Sequence, residues 1–147
     1  MLRIRTKNSE QRTWRGSIAV LCSLFSVLLL SGCFLISGPT RSADRTADGG
    51  NVFVSFVSAE GNDTQSVATN FPSQQLQVTV FAQNRNGQMR IEVLDPQGSV
   101  VLSVEGTAQE RVGQAVVQTD PAGVFRYRVR ATGAQRGSFT ILYQPAG

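Results

Sequence analysis

From Asn51 to Gly147 apolar residues recur at every second position in short runs. Val52, Val54 and Phe56 alternate with Phe53, Ser55 and Val57, and Leu76, Val78, Val80 and Ala82 with Gln77, Thr79, Phe81 and Gln83. Met89, Ile91 and Val93 flank Arg90 and Glu92, and Val100, Leu102 and Val104 follow. Val112 to Thr119 is a poorer run, with Gly113 inside it. Phe125, Tyr127, Val129 and Ala131 alternate with Arg126, Arg128 and Arg130, and Phe139, Ile141 and Tyr143 end the series. Period-two runs rich in Val, Phe, Tyr and Ile predict strands, about seven of them. No sustained 3.6-residue period is present to predict a helix there.

The breaks between the runs carry turn chemistry. Asp95-Pro96-Gln97-Gly98 and Asp120-Pro121-Ala122-Gly123 share the form Asp-Pro-x-Gly. Proline presets the second position of a type I turn, the aspartate can accept bonds from the backbone ahead of it, and glycine suits the position after. Asn84-Arg85-Asn86-Gly87 and Gly133-Ala134-Gln135-Arg136-Gly137 read as two further tight connections, and Glu60 to Gln75 as the one long loop. Short strands with closely spaced turns predict an all-β fold over 51–147, a small antiparallel β-sandwich.

The N-terminal part is different. Ile18 to Leu30 is apolar and uncharged, and Arg3, Arg5, Lys7, Arg12 and Arg15 precede it against one acid, Glu10. A basic start, an apolar run and the small residues Ser31 and Gly32 describe an export signal. As a helix the run would span about 20 Å, short of the ~30 Å hydrocarbon core. Leu30-Ser31-Gly32-Cys33 resembles the lipobox of bacterial lipoproteins. That resemblance implies a diacylglyceryl thioether on Cys33, cleavage before it, and contact with membrane lipid through it. The alternative is an uncleaved signal-anchor over 18–36, which carries no charge. The expected organisation is a lipoprotein signal peptide at 1–32, a lipidated cysteine and flexible tether at 33–50, and the β-sandwich at 51–147. The tether reading rests on Ser37 to Gly50, which is small, polar and almost without apolar residues.

Charge changes the picture further. The formal net charge of +4 lies in the first fifteen residues; from Cys33 onward nine arginines face nine acids. A nucleic-acid ligand is not expected of a neutral domain, because such binding draws on positive charge at the folded surface. There is no histidine. Ser-His-Asp and Cys-His catalysis and the usual zinc ligand sets are thereby excluded. Cys22 lies in the signal and no cysteine follows Cys33, so no disulfide is expected in the domain. No cofactor-binding pattern is present, and the domain reads as monomeric and non-enzymatic.

A second resemblance rests on residues 88–143. Met89-Arg90-Ile91-Glu92-Val93-Leu94-Asp95-Pro96-Gln97-Gly98, then Asp120 to Val129, then Gly137-Ser138-Phe139-Thr140-Ile141-Leu142-Tyr143 resemble the bacterial pre-peptidase C-terminal domain and the related Golgi-dynamics-type sandwich. It implies a non-catalytic accessory or binding module.

Two surface features are candidates for chemistry. In a strand, Arg126, Arg128 and Arg130 emerge on one face, about 6–7 Å apart, opposite Phe125, Tyr127 and Val129. They are expected to be a solvent face paired with acids such as Glu92. The functional reading is an anion-facing surface for lipid headgroups, an anionic envelope polymer or an acidic protein partner. Glu60-Gly61-Asn62-Asp63 offers clustered oxygens, read as a solvated turn in preference to a calcium corner. The function expected is therefore an envelope lipoprotein carrying a binding or interaction module. It would sit on the outer face of the cytoplasmic membrane or on the outer membrane, the default destination that Phe34 after Cys33 implies in a two-membrane bacterium. The alternative is a structural or assembly lipoprotein without a soluble ligand. Arginines and exposed aromatics on one sheet face would favour the first, and a polar surface with an open edge strand the second.

Overall fold

The computed structural model describes residues 33–147; the expected signal, with Leu30, Ser31 and Gly32, lies outside the described residues. All seven elements are strands: β1 Leu35–Ser37, β2 Thr40–Thr46, β3 Gly49–Ala68, β4 Gln75–Leu94, β5 Val100–Gly106, β6 Arg111–Gln118 and β7 Val124–Pro145. Every pairing between them is antiparallel. Residues 33–147 form an all-β sandwich.

Three strands are far longer than the sequence pattern indicates: β3 and β4 have 20 residues each and β7 has 22. Their registers explain how one sheet makes two layers. The first half of β3 (50–56) pairs with the second half of β7 (137–143), which pairs with the first half of β4 (76–84). The second half of β3 (61–68) pairs with the first half of β7 (124–131), which pairs with the second half of β4 (88–94). Each long strand thus belongs to both layers and bends near its middle. Strands β2 and β6 flank the first layer and β5 the second, while β1 pairs with β3 at the bend, over residues 58–60.

The bends correct two expected connections. Residues 84–87 and 133–137 are not turns between strands but breaks of register inside β4 and β7. Gly87 and Gly133 adopt φ of +73° and +57° there, and a Cβ on Gly87 would lie 2.0 Å from the Gly133 carbonyl oxygen. Two backbones touch at the fold line, which only glycine permits. The expected loop at 60–75 is also shorter: β3 continues to Ala68, with a bulge between Ala59 and Gly61. The short connection 69–74 is fastened by buried threonines. Thr69 Oγ1 donates to Gly123 O at 2.6 Å, and Thr119 Oγ1 donates to Phe71 O at 2.5 Å.

A third correction concerns the expected tether. Residues 35–37 and 40–46 are strands β1 and β2, laid antiparallel on β3. All seven residues of β2 are exposed, so its side chains carry no apolar alternation. Backbone pairing holds it, and that leaves no trace in hydropathy.

The alternating positions fill the space between the layers. Val52, Val54, Phe56, Leu76, Val78, Val80, Phe139, Ile141 and Tyr143 from one layer meet Met89, Ile91, Val93, Phe125, Tyr127 and Val129 from the other. Phe125 meets Tyr143 edge-on with centroids 5.6 Å apart, and Tyr127 meets Phe139 at 5.7 Å. Both pairs join the two halves of β7 across the core. Each is worth roughly 0.5–1.5 kcal/mol beyond its area burial. On the β5–β6 side the layers close together, since a Cβ on Gly113 would meet the side chains of Leu102 and Val104.

Candidate functional site

The arginine row lies on the outer face of the second layer. Register places Arg126 beside Leu94, Arg128 beside Glu92 and Arg130 beside Arg90. Glu92 is only 6% exposed. Arg128 Nε donates to Glu92 Oε2 at 2.6 Å, and Arg130 Nε donates to the same oxygen at 3.2 Å. Arg126 donates instead to Pro96 O at 2.8 Å. Desolvation disfavours the Glu92 charge. The Arg128 hydrogen bond and the charges of Arg128 and Arg130 outweigh it and hold the carboxyl below the usual carboxylate range. One carboxylate therefore neutralises part of the row, and the arginines are not equivalent. Arg128 is largely committed to Glu92, whereas the Arg130 side chain is half exposed.

Arg130 also reaches a second feature. Where β4 and β7 bend, a concavity of about 760 Å³ is lined by the 84–90 segment, by Glu105 to Ala108 and by Arg130 and Thr132. It brings Arg85 and Arg90 to Arg130, against one lining carboxylate, Glu105, which is bonded to Arg90. Arg85 has no ion-pair partner among the described residues. Asn84, in the same lining, is 2% exposed. Its Nδ2 donates to Asn86 O at 2.7 Å, while its Oδ1 has no hydrogen-bond partner. Arg85, Arg90 and Asn84 were not expected at a site, because 84–87 reads as a turn in the sequence. The available signal was that Arg90 shares the alternation phase of Glu92, but its meeting with Arg130 needs the β4–β7 register.

The β1–β2 side of the sandwich holds an apolar cavity of about 350 Å³, lined mainly by Phe34, Ile36, Val54, Phe56, Tyr127 and Phe139. Arg41 lies in its lining and donates to Tyr127 Oη and to Gln65 Oε1, both at 3.2 Å. Burial pushes the Tyr127 phenol up, against the lowering charge of Arg41. Cys33 is exposed and directly precedes Phe34 and Ile36, which pack against the core. Its carbonyl abuts the bulge: a Cβ on Gly61 would sit 2.7 Å from Cys33 O.

The Glu60–Asp63 oxygens do not converge. The segment is strand, not the expected turn, so successive side chains point to opposite faces. Glu60 accepts from the Gly133 amide at 2.5 Å and Asp63 from Gln65. No group of metal-binding side chains is present among the described residues. Aromatic side chains do reach an outer face, but the other one. Phe53, Thr140, Phe81 and Val112 form a cross-strand row on the first layer, with Val112 54% exposed. The arginine row and these aromatics thus occupy opposite faces of the sandwich, and the shared face expected of a binding module is not present among the described residues.

No protein-family model matches this chain, and no curated protein matches it. Solved structures with some likeness include the CBM22-1 xylan-binding domain of Paenibacillus barcinonensis Xyn10C, 10% identical with a TM-score of 0.38, over 80% of this chain and 89% of that one. The C-terminal CBM6 of a Zobellia galactanivorans laminarinase is 13% identical at a TM-score of 0.38, over 76% and 99%. A Bacillus endospore appendage pilus protein is 14% identical at 0.42, over 80% and 98%. At these TM-scores no ligand or partner is carried across to this chain.

Proposed function

We propose that this chain is an envelope lipoprotein, held to a membrane through lipid on Cys33 and presenting a non-catalytic β-sandwich as a binding module. The observation that supports this reading is where the folded unit starts. The compact unit runs from Cys33 to Gly147, and Leu35 already belongs to β1. The cysteine of the lipobox-like sequence is therefore the first residue of the domain, exposed and close to the membrane if lipid is attached. The same observation weighs against the signal-anchor. Phe34, Leu35 and Ile36 are engaged in the domain, which shortens the uncharged run available to a span to residues 18–33, roughly 24 Å as a helix against the ~30 Å needed. With the expected tether folded into β1 and β2, the domain would lie against the bilayer with little freedom to stand off.

Metabolic labelling with a fatty acid and mass measurement of the membrane-extracted protein test the reading. Cys33→Ser should abolish labelling and leave a longer, unprocessed chain. Labelling that survives the substitution, or a wild-type mass equal to the full translated chain, overturns it.

A further inference from the structure

The concavity at the strand bends has features of a built site rather than of a solvated face. It is within the usual size of ligand pockets, about 300–1,000 Å³. Arg85, Arg90 and Arg130 line it with one carboxylate, Glu105; Arg90 is bonded to Glu105 and Arg130 to Glu92 behind the lining, which leaves Arg85 as the charge without an ion pair among the described residues. Guanidinium forks match carboxylate and phosphate oxygens in a two-point geometry. Its other polar groups belong to Asn84, Asn86, Gln88, Thr107 and Thr132, and it has no aromatic wall. Asn84 Oδ1 is the one buried side-chain acceptor among the described residues without a donor. A polar atom buried in that state calls for a small partner such as a water held behind the lining.

We infer that this concavity binds an anionic, hydroxyl-bearing ligand, in chemical terms an acidic sugar unit. Arg85 and Arg130 take the anionic group, and the amide and hydroxyl side chains around Asn84 take the hydroxyls. This deepens the binding-module reading above by naming its ligand class. It also moves the anion site away from the row expected in sequence: Arg126 and Arg128 are held by Pro96 and Glu92, while Arg130, bonded to Glu92 by Nε alone and half exposed, also lines the concavity. Ligand affinity is independent of lipidation, so the Cys33 experiment and the following one fail separately.

The test is ligand-observed NMR on the purified full chain in neutral detergent at low salt, with four probes: glucuronate, glucose 6-phosphate, glucose and inorganic phosphate. At least one of the two anionic sugars should bind, more tightly than glucose and than phosphate, and more weakly as salt rises. Preference between them tells a carboxylated from a phosphorylated unit. Arg85→Glu should weaken binding about tenfold or more, the loss of one charge-assisted contact. Arg85 sits at an exposed bend without an ion pair, so the fold should tolerate this change. Arg126→Gln, outside the concavity, should leave binding unchanged. Binding by neither sugar overturns the inference. Phosphate binding as tight as glucose 6-phosphate, with no glucuronate binding, overturns the sugar assignment. Equal loss in the Arg126 and Arg85 variants returns the site to the row.

Discussion

Glu92 offers a test of how the arginine face is held. Glu92→Gln keeps the shape of the side chain and removes its charge. A hydrogen bond to a charged group contributes roughly 1.5–3 kcal/mol net. The Arg128 contact qualifies, since the Glu92 and Arg128 side chains are 8% and 26% exposed. The Arg130 contact is longer and its side chain is 51% exposed, so solvent screening reduces it to about 0–1 kcal/mol. Glutamine can still accept from Arg128 and retains part of the first contribution. The expected loss at neutral pH is therefore about 1–2 kcal/mol. The pH dependence follows from the lowered carboxyl pKa of the folded state. A depressed folded pKa contributes stability above the unfolded value of about 4.3, and that stability is lost as pH falls through the folded value. Wild type should therefore exceed Glu92→Gln in stability at neutral pH, and the gap should close in acid. Urea unfolding followed by circular dichroism, at neutral pH and below the carboxylate range, measures it. A neutral-pH difference inside the ~0.5 kcal/mol scatter of ordinary surface changes would refute the reasoning, as would a gap that persists unchanged in acid.

Two further outcomes probe the fold. Gly98 and Gly123 close the two Asp-Pro-x-Gly turns at φ of +88° and +75°, so Gly98→Val and Gly123→Val should each cost about 1–2 kcal/mol in thermal or urea unfolding. Gly98 has nothing within 4 Å of a Cβ, so strain alone acts there, and wild-type stability in both variants would remove the turn assignment. Gly137 faces the Phe56 ring, whose Cζ would lie 2.3 Å from a Cβ, so Gly137→Ala should destabilise by about 1–3 kcal/mol through overpacking. A double-mutant cycle with Phe56→Leu should reveal coupling, and strict additivity would refute that contact.

Much of the strand content was legible in the sequence because side-chain alternation is local. Val52 to Phe56, Leu76 to Ala82 and Phe125 to Ala131 point inward wherever their strands pair, since one face must leave water. The Asp-Pro-x-Gly turns were legible for the same reason: Gly98 and Gly123 donate to the Asp95 and Asp120 carbonyls within four residues. The meeting of Arg128 with Glu92 was also within reach, as a charge pair across neighbouring strands. What a local pattern does not carry is which breaks end a strand. Asn86-Gly87 and Gly133 have the glycine of a turn, yet they bend strands that continue, because the deciding contact is between Gly87 and Gly133 themselves, 46 positions apart in the chain. Strand β2 escaped for the complementary reason, since an exposed edge is held by backbone bonds that any polar sequence can make. The concavity depended on both. Arg85, Arg90 and Arg130 converge only once β4 and β7 bend side by side, and the burial that leaves Asn84 Oδ1 without a donor is a property of the packed layers and not of any segment.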